Sequence, residues 1–474
     1  MKAIQLGDIM ADPERIRRVL AALFLVAAML GVSTAGAEKD TPILVVQSVH
    51  IVSLDDASML RDRQVLVEGN RIAGVHDANW QAPEHAHRID GQGGYLIPGL
   101  NELHAHVPSS QHSEQYLDDT LFLYLSNGIT RIRGMLGEPM HLALREELAS
   151  GKRLGPLLIT SGPSINGRSV PSKAKAFHVV AEQAAAGYDF LKIHPGLERE
   201  VFDAMAEAAR LHNIRFAGHV PGAVGLDRAL EAPYSSIDHL DQYIEWMARQ
   251  SGHAQSPEGF FGYLVGPEVN QQWIERAAEA TAEAGVWNVP TETLMHNVLL
   301  LDPNEIEAQR PEFRYMPREI IDNWINRVRQ IQQADDYNRE AAEAFARHRL
   351  ALIGALQRAG APIMLGSDAP QIFNVPGFSI HHEIELMQRA GLSEREILYS
   401  ATVAPALYFG KEHTAGRIAE GFEANLVLLE HNPLENLKNL KSPLGVMVAG
   451  RWLSREDIDA GLDAIAERNR TAAP

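Results

Sequence analysis

Short motifs spread along the chain carry the side chains best suited to chemistry. Ile97-Pro98-Gly99-Leu100-Asn101-Glu102-Leu103-His104-Ala105-His106 ends on a His-x-His pair. Lys192 lies in Asp189-Phe190-Leu191-Lys192-Ile193, His219 follows Phe216-Ala217-Gly218, and His239 follows Ile237-Asp238. Asp368 closes Met364-Leu365-Gly366-Ser367-Asp368. Side chains alternate across a strand, so His104 and His106 point to one side and both imidazoles can reach the same cation. The 474 residues include 20 histidines and no cysteine. That excludes disulfides, thiolate zinc sites, iron–sulfur clusters and a cysteine nucleophile, and leaves nitrogen and oxygen as the ligands for any metal.

These residues need a scaffold that brings distant positions together. Apolar strand-like runs at 129–132, 157–160, 190–193, 214–218, 236–238, 286–289 and 362–366 alternate with helical spacing, as at 200–212, 273–284 and 338–359. Repeated βα units imply parallel strands and predict an α/β fold, a (β/α)8 TIM-type barrel, whose strands all end on one face. No Gly-rich phosphate loop follows the first strand, which argues against a doubly wound dinucleotide fold. The stretches 43–46, 49–52, 64–68 and 71–75 read as strands, with Gly69-Asn70 as a hairpin turn. Segments 416–418, 424–429 and 444–451 return to that pattern. Together they predict a small β-sandwich domain built from both termini. The expected division is 38–97 for its N-terminal part, 98–412 for the barrel with a charged helical insertion at about 301–346, and 413–474 for the remainder and tail.

The N-terminus reads separately. Arg15, Arg17 and Arg18 precede the apolar run 19–32 and then Ser33-Thr34-Ala35-Gly36-Ala37, the pattern of a signal peptide over 1–37 cleaved after Ala37. Secretion or a periplasmic location is the expectation, with no stable membrane span after cleavage. Lys and Arg total 43 against 61 Asp and Glu, for a formal net charge of −18. Such a balance argues against nucleic acid as a partner, because phosphate binding needs a basic surface.

The ordered motifs resemble those of the amidohydrolase superfamily of metal-dependent hydrolases over nearly the whole chain after residue 37. The likeness is to imidazolonepropionase-related and Xaa-Pro dipeptidase-like amidohydrolases. Residues 91–99 resemble the lead-in to the first barrel strand, and Gly416-Arg417-Ile418-Ala419-Glu420-Gly421 the return to the small β domain. Two positions depart from the pattern: Asn425 replaces an acid, and Gly134 stands where relatives often carry Asp.

The resemblance implies two divalent metal ions, with zinc the first candidate and manganese or cobalt the alternatives. His104, His106 and Asp368 would hold one ion, and His219 and His239 the other. Lys192 would bridge them as a carbamate, because an ammonium has no lone pair to give. The alternative is an unmodified Lys192 beside a single ion. A small-molecule substrate with a C–N bond, such as a dipeptide or N-acyl amino acid, would be hydrolysed by a metal-bridged hydroxide, with Asp368 moving the proton. An ester, lactone or phosphotriester is the runner-up on the same centre, and a non-catalytic binding or assembly role stands third. Similar barrels often self-associate, so a homo-oligomer is also expected.

Lesser candidates surround this set. Arg168, in the loop 161–169, suits a substrate carboxylate. Tyr243 and His296 are candidate substrate contacts, and His381 or His382 could line the mouth. Glu383 reads as a structural acid at a helix start.

Overall fold

A computed structural model describes residues 42–256 and 258–471. The expected signal segment, 1–37, lies outside the described residues. No helix among those described is long and apolar enough to cross a membrane.

The chain begins with β1 (Ile43–Val52), β2 (Met59–Glu68), β3 (Arg71–Asp77) and β4 (His87–Pro98). The sequence pattern breaks β1 into two runs. The structure instead makes it one strand whose register shifts between Val46 and Val49, with Ser48 in the left-handed region at φ 56°. Such a bulge turns the side-chain alternation over and mimics a strand boundary. β2 and β3 form the expected hairpin around Gly69-Asn70.

Parallel strands follow: β5 (Leu100–Ala105), β6 (Ile129–Gly134) and β7 (Leu157–Thr160) in one ladder, then β8 (Phe190–Ile193), β9 (Arg215–Gly218), β10 (Ser236–Asp238) and β11 (Trp287–Val289) in another. Helices such as Arg199–Leu211, Gln272–Ala284 and Arg339–Ala359 lie between or after them. Asn338 caps the last of these, its side chain accepting from Ala341 N. The strand expected at 362–366 does not form a ladder. Pro362 has no N–H to donate, and the segment joins its neighbours through single parallel bridges, Asn288 to Ile363 and Ala105 to Ala369. Leu103 N also donates to Leu365 O at 2.9 Å, and Asp368 N to His104 O at 2.9 Å. A Ser161–Phe190 bridge links the two ladders at their other edges.

Near the C-terminus come β12 (Leu426–Leu429), β13 (Gly445–Val448) and β14 (Arg451–Ser454). The expected strand at 444–451 is a hairpin, because Ala449 and Gly450 both take positive φ. The segment 416–418 is irregular. β12 pairs antiparallel with β4, so strands from residues 43–98 and 426–454 meet in one mixed seven-stranded sheet of order β14-β13-β12-β4-β1-β2-β3. Val46, Val65, Val67, Leu96, Leu426 and Met447 form its buried apolar face.

Candidate active site

The ends of the parallel strands hold the residues singled out by the sequence. Gly99 interrupts the chain between β4 and β5, and His104 lies on β5 with His106 one residue beyond its end. A side chain at Gly99 would collide with Thr130 on β6, so this close approach requires glycine. Lys192 lies within β8, His219 just beyond β9 and His239 just beyond β10. His104, His106, Lys192, His219, His239 and Asp368 all line one cavity of about 280 Å³.

Distances inside the cavity are short. His106 Nε2 lies 2.8 Å from Asp368 Oδ1, His104 Nε2 lies 3.6 Å from the same atom, and His239 Nδ1 lies 3.7 Å from Asp368 Oδ2. The ring centroids of His104 and His239 are 4.4 Å apart, and those of His219 and His239 are 4.5 Å apart. His104, His239 and Asp368 bring ligand atoms within 4.8 Å of one another and are all buried. Burial holds His104 and His239 well below the usual imidazole range, and lowers His219 to about 3. Neutral imidazoles keep a lone pair for a metal.

Surrounding groups orient these rings. His104 Nδ1 lies 2.9 Å from Asp238 Oδ2, and Asp238 in turn accepts two N–H bonds from Arg133. His219 Nδ1 pairs with Asp241 Oδ2 at 2.7 Å, and His239 Nδ1 with Thr291 Oγ1 at 2.7 Å. Arg349 donates to the carbonyl oxygen of His239 at 2.7 Å and to Glu292 at 2.7 Å. Glu102 accepts from Ser367 N at 2.7 Å and Ser367 Oγ at 2.8 Å, fastening β5 to the Asp368 loop. His239, Thr291 and Asp368 have positive φ of 63°, 48° and 67°. Non-glycine residues held there store backbone strain, which clusters at functional sites.

Lys192 Nζ is buried and makes no hydrogen bond among the described residues. Burial lowers it to about 8, opposed in part by the Asp238 and Asp368 carboxylates. An unpartnered buried amine is costly. Its place beside neutral imidazoles and carboxylates fits a site that gathers cations through nitrogen and oxygen ligands.

Arg168 is exposed and does not line the cavity; its own loop is closed by Asn166, which accepts from the Arg168 backbone N–H. Tyr243 is buried away from it, its hydroxyl 2.8 Å from Thr281 Oγ1 and 3.1 Å from Asn288 Oδ1. His296 is half-buried on the helix Glu292–Leu299 and is also absent from the lining, as are His381 and His382. Glu383 caps a helix other than its own, accepting from Glu292 N and Thr293 N at 3.0 and 2.7 Å. Gly134 does not reach the cavity either; a Cβ there would rest in ordinary contact with Leu158 and Val107.

Other lining residues escaped the sequence reading. His194 bonds Ser164 Oγ through Nδ1 at 2.9 Å, with its ring 5.2 Å from that of His219. It stands two residues after Lys192, the same spacing as His104 and His106, so strand alternation was a usable signal. Gln371 Nε2 lies 3.1 Å from His106 Nε2. Phe260, Phe261 and Arg327 come from segments outside the strands, where no spacing rule points to a site.

Parallel βα units thus gather histidines, a lysine and an aspartate at the strand ends, with His104, His239 and Asp368 close enough to hold one metal ion. The Amidohydrolase family pattern matches residues 95–453, and the chain belongs to that family. An adenine deaminase of Chelativorans sp. (strain BNC1) is 26% identical over 274 residues, covering 54% of this chain and 43% of that protein. This chain therefore spans less than half the length of the first curated relatives it matches. Ochratoxinase of Aspergillus niger is 21% identical over 432 residues, covering 82% of this chain and 80% of that protein. Among solved structures, a bottromycin amidohydrolase superposes with a TM-score of 0.70 at 23% identity, over 97% of this chain and 94% of that one. A Xaa-Pro dipeptidase with methionine bound in its active site gives 0.63 at 18% identity, over 87% and 100%. These likenesses concern the fold.

Proposed function

We propose that this protein is a metal-dependent hydrolase of C–N bonds in small molecules. The observation that carries the reading is the convergence of His104, His106, Lys192, His219, His239 and Asp368 on one buried cavity, from positions spread over most of the chain. The family and relatives named for deaminase, dipeptidase and ochratoxinase activity support it. We read the two parallel ladders and the 362–369 segment as the staves of an eight-stranded barrel, its circuit completed by the isolated bridges.

His104, His106 and Asp368 would hold one divalent ion and His219 and His239 a second, with zinc the first candidate and a carbamate on Lys192 as the bridge. Carbamylation would add carbon dioxide to the neutral amine that burial of Lys192 favours, releasing a proton, and would replace a potential cation with an anion able to bind metal. Bound there, such ions activate water as a nucleophile near neutral pH and polarise a carbonyl. Asp368, already within reach of three histidines, accepts the proton given up by water and returns it to the leaving amine. Asp238, Asp241 and Thr291 hold the imidazoles in the orientation this requires. The Phe261 ring lies 5.9 and 5.7 Å from those of His219 and His239, with Phe260 packed on its edge, and would limit the entry of bulk water.

An ester, lactone or phosphotriester would meet the same groups. A panel of dipeptides, N-acyl amino acids, aryl esters and lactones, assayed with metal-reconstituted protein, separates the readings. Cleavage of amides supports the proposal; turnover confined to esters overturns it. We further propose export, with residues 1–37 removed after Ala37, which the mass of the mature protein tests.

A further inference from the structure

The cavity has two chemically distinct ends. Histidines, Lys192, Asp368 and Gln371 form one. The rest is apolar, with Phe260 and Phe261 facing Leu294 and Val298 of the helix Glu292–Leu299. One side chain breaks that apolar lining: Arg327, from the helix Arg318–Gln332. Ile331, four residues on, also lines the cavity, so this face of the helix is turned toward it. On its other side the helix is anchored by Ile321, Trp324, Ile325 and Val328, which pack with Phe313 and Phe373.

Arginines around Arg327 are committed to protein partners. Arg318 pairs with Glu307 and Asp322, Arg329 bonds Asn304 Oδ1, and Arg310 bonds Asn297 Oδ1. Arg327 is exposed to solvent where it borders the cavity, and among the described residues it makes no ion pair and no side-chain hydrogen bond. A planar guanidinium with free donors suits the two oxygens of a carboxylate. Arg168, the carboxylate partner expected from the sequence, lies outside.

We propose that Arg327 is a specificity-determining residue that binds a carboxylate on the substrate. The substrate class is then an amide bearing an apolar or aromatic group and a free carboxylate, as in an N-acylated hydrophobic amino acid. The apolar group packs among Phe260, Phe261, Leu294 and Val298, the carboxylate meets Arg327, and the amide lies toward Asp368. This rests on the C–N hydrolase reading above.

The test uses the full metal-loaded chain and two ligands of one shape, hydrocinnamate and the neutral hydrocinnamyl alcohol, titrated by calorimetry into wild type and Arg327→Gln. Wild type is expected to bind the carboxylate about tenfold or more tightly than the alcohol, and Arg327→Gln to close that gap. A carboxylate preference that survives in Arg327→Gln overturns the proposal, because the anion would then be held at the metal end. So does the absence of any preference in wild type. A second arm compares N-acetylphenylalanine with its carboxamide as substrates. The ratio of their kcat/KM values is expected to fall about tenfold in Arg327→Gln through the KM of the acid, and an unchanged ratio counts against the assignment. If wild type cleaves neither substrate but cleaves other amides of the panel, the substrate class proposed here fails and the hydrolase reading stands; if it cleaves no amide at all, the hydrolase reading fails, while the binding arm still decides the role of Arg327 as an anion partner.

Discussion

Arg133 grips Asp238 with two N–H donors, at 3.0 and 3.1 Å, where neither side chain reaches solvent. The guanidinium also donates to Leu103 O, Ser236 Oγ and Tyr408 Oη at 2.6, 2.9 and 3.0 Å. It thereby ties β5, β6 and β10 to one another inside the protein. Asp238 passes that order on to His104, whose Nδ1 it meets at 2.9 Å.

Asp238→Asn keeps the shape but removes the carboxylate that lies 2.9 Å from His104 Nδ1. Metal affinity is expected to fall about 10–100-fold. Metal content after dialysis against graded chelator, measured beside wild type, checks this; equal retention would show that Asp238 serves only the Arg133 pair.

Gly218 is required by Lys192. Its φ is 117°, and a Cβ there would lie 2.7 Å from Lys192 Cδ and 2.6 Å from Ile193 O. Gly218→Ala is expected to displace the Lys192 side chain, to cost on the order of 1–3 kcal/mol of stability, and to reduce turnover more than a surface substitution of equal stability cost. Denaturation midpoints together with kcat separate the two effects.

How far such relations are legible in a sequence depends on their reach along the chain. His104 and His106 stand out because one strand's alternation aligns them, and Lys192, His219 and His239 because each lies at the end of an apolar run. Most βα units were readable for the same reason. Arg133 with Asp238, and Arg349 with the carbonyl of His239, join positions about a hundred residues apart, and no local pattern encodes them. The placement of Arg168 and Tyr243 outside the cavity lining was not legible, because a loop arginine and a tyrosine near a histidine look the same in sequence whether they face a cavity or a neighbouring helix. The 444–451 hairpin was hidden because Ala449, a residue without turn character, takes the left-handed conformation beside Gly450.

Glu245 links the fold to pH. Burial raises its carboxyl from 4.5 to about 7. The folded chain thus binds this proton more tightly than the unfolded chain, and stability is lost as pH rises from about 4.5 through about 7. Glu245→Gln cannot ionise. It is expected to be more stable than wild type at about pH 8, on the order of 1–3 kcal/mol, with the advantage shrinking at about pH 5. Urea midpoints at both pH values check it, and a pH-independent difference would contradict it.

Asp368→Asn retains an oxygen in place but cannot carry a proton between water and the leaving amine. Turnover is expected to fall about 10²–10⁴-fold while most of the metal stays bound. Metal content and single-turnover rates on the same preparation check this, and near-normal turnover would remove Asp368 from proton transfer.

We propose that the cavity lined by His104, His106, Lys192, His219, His239 and Asp368 hydrolyses C–N bonds with two bound divalent ions. Titrating zinc into chelator-stripped protein while following cleavage of an N-acyl amino acid tests it most directly. The stripped protein is expected to show no turnover, and activity to rise with added zinc until it levels off at two equivalents. Cleavage that persists without metal, or a fully reloaded protein that cleaves no amide, would contradict it.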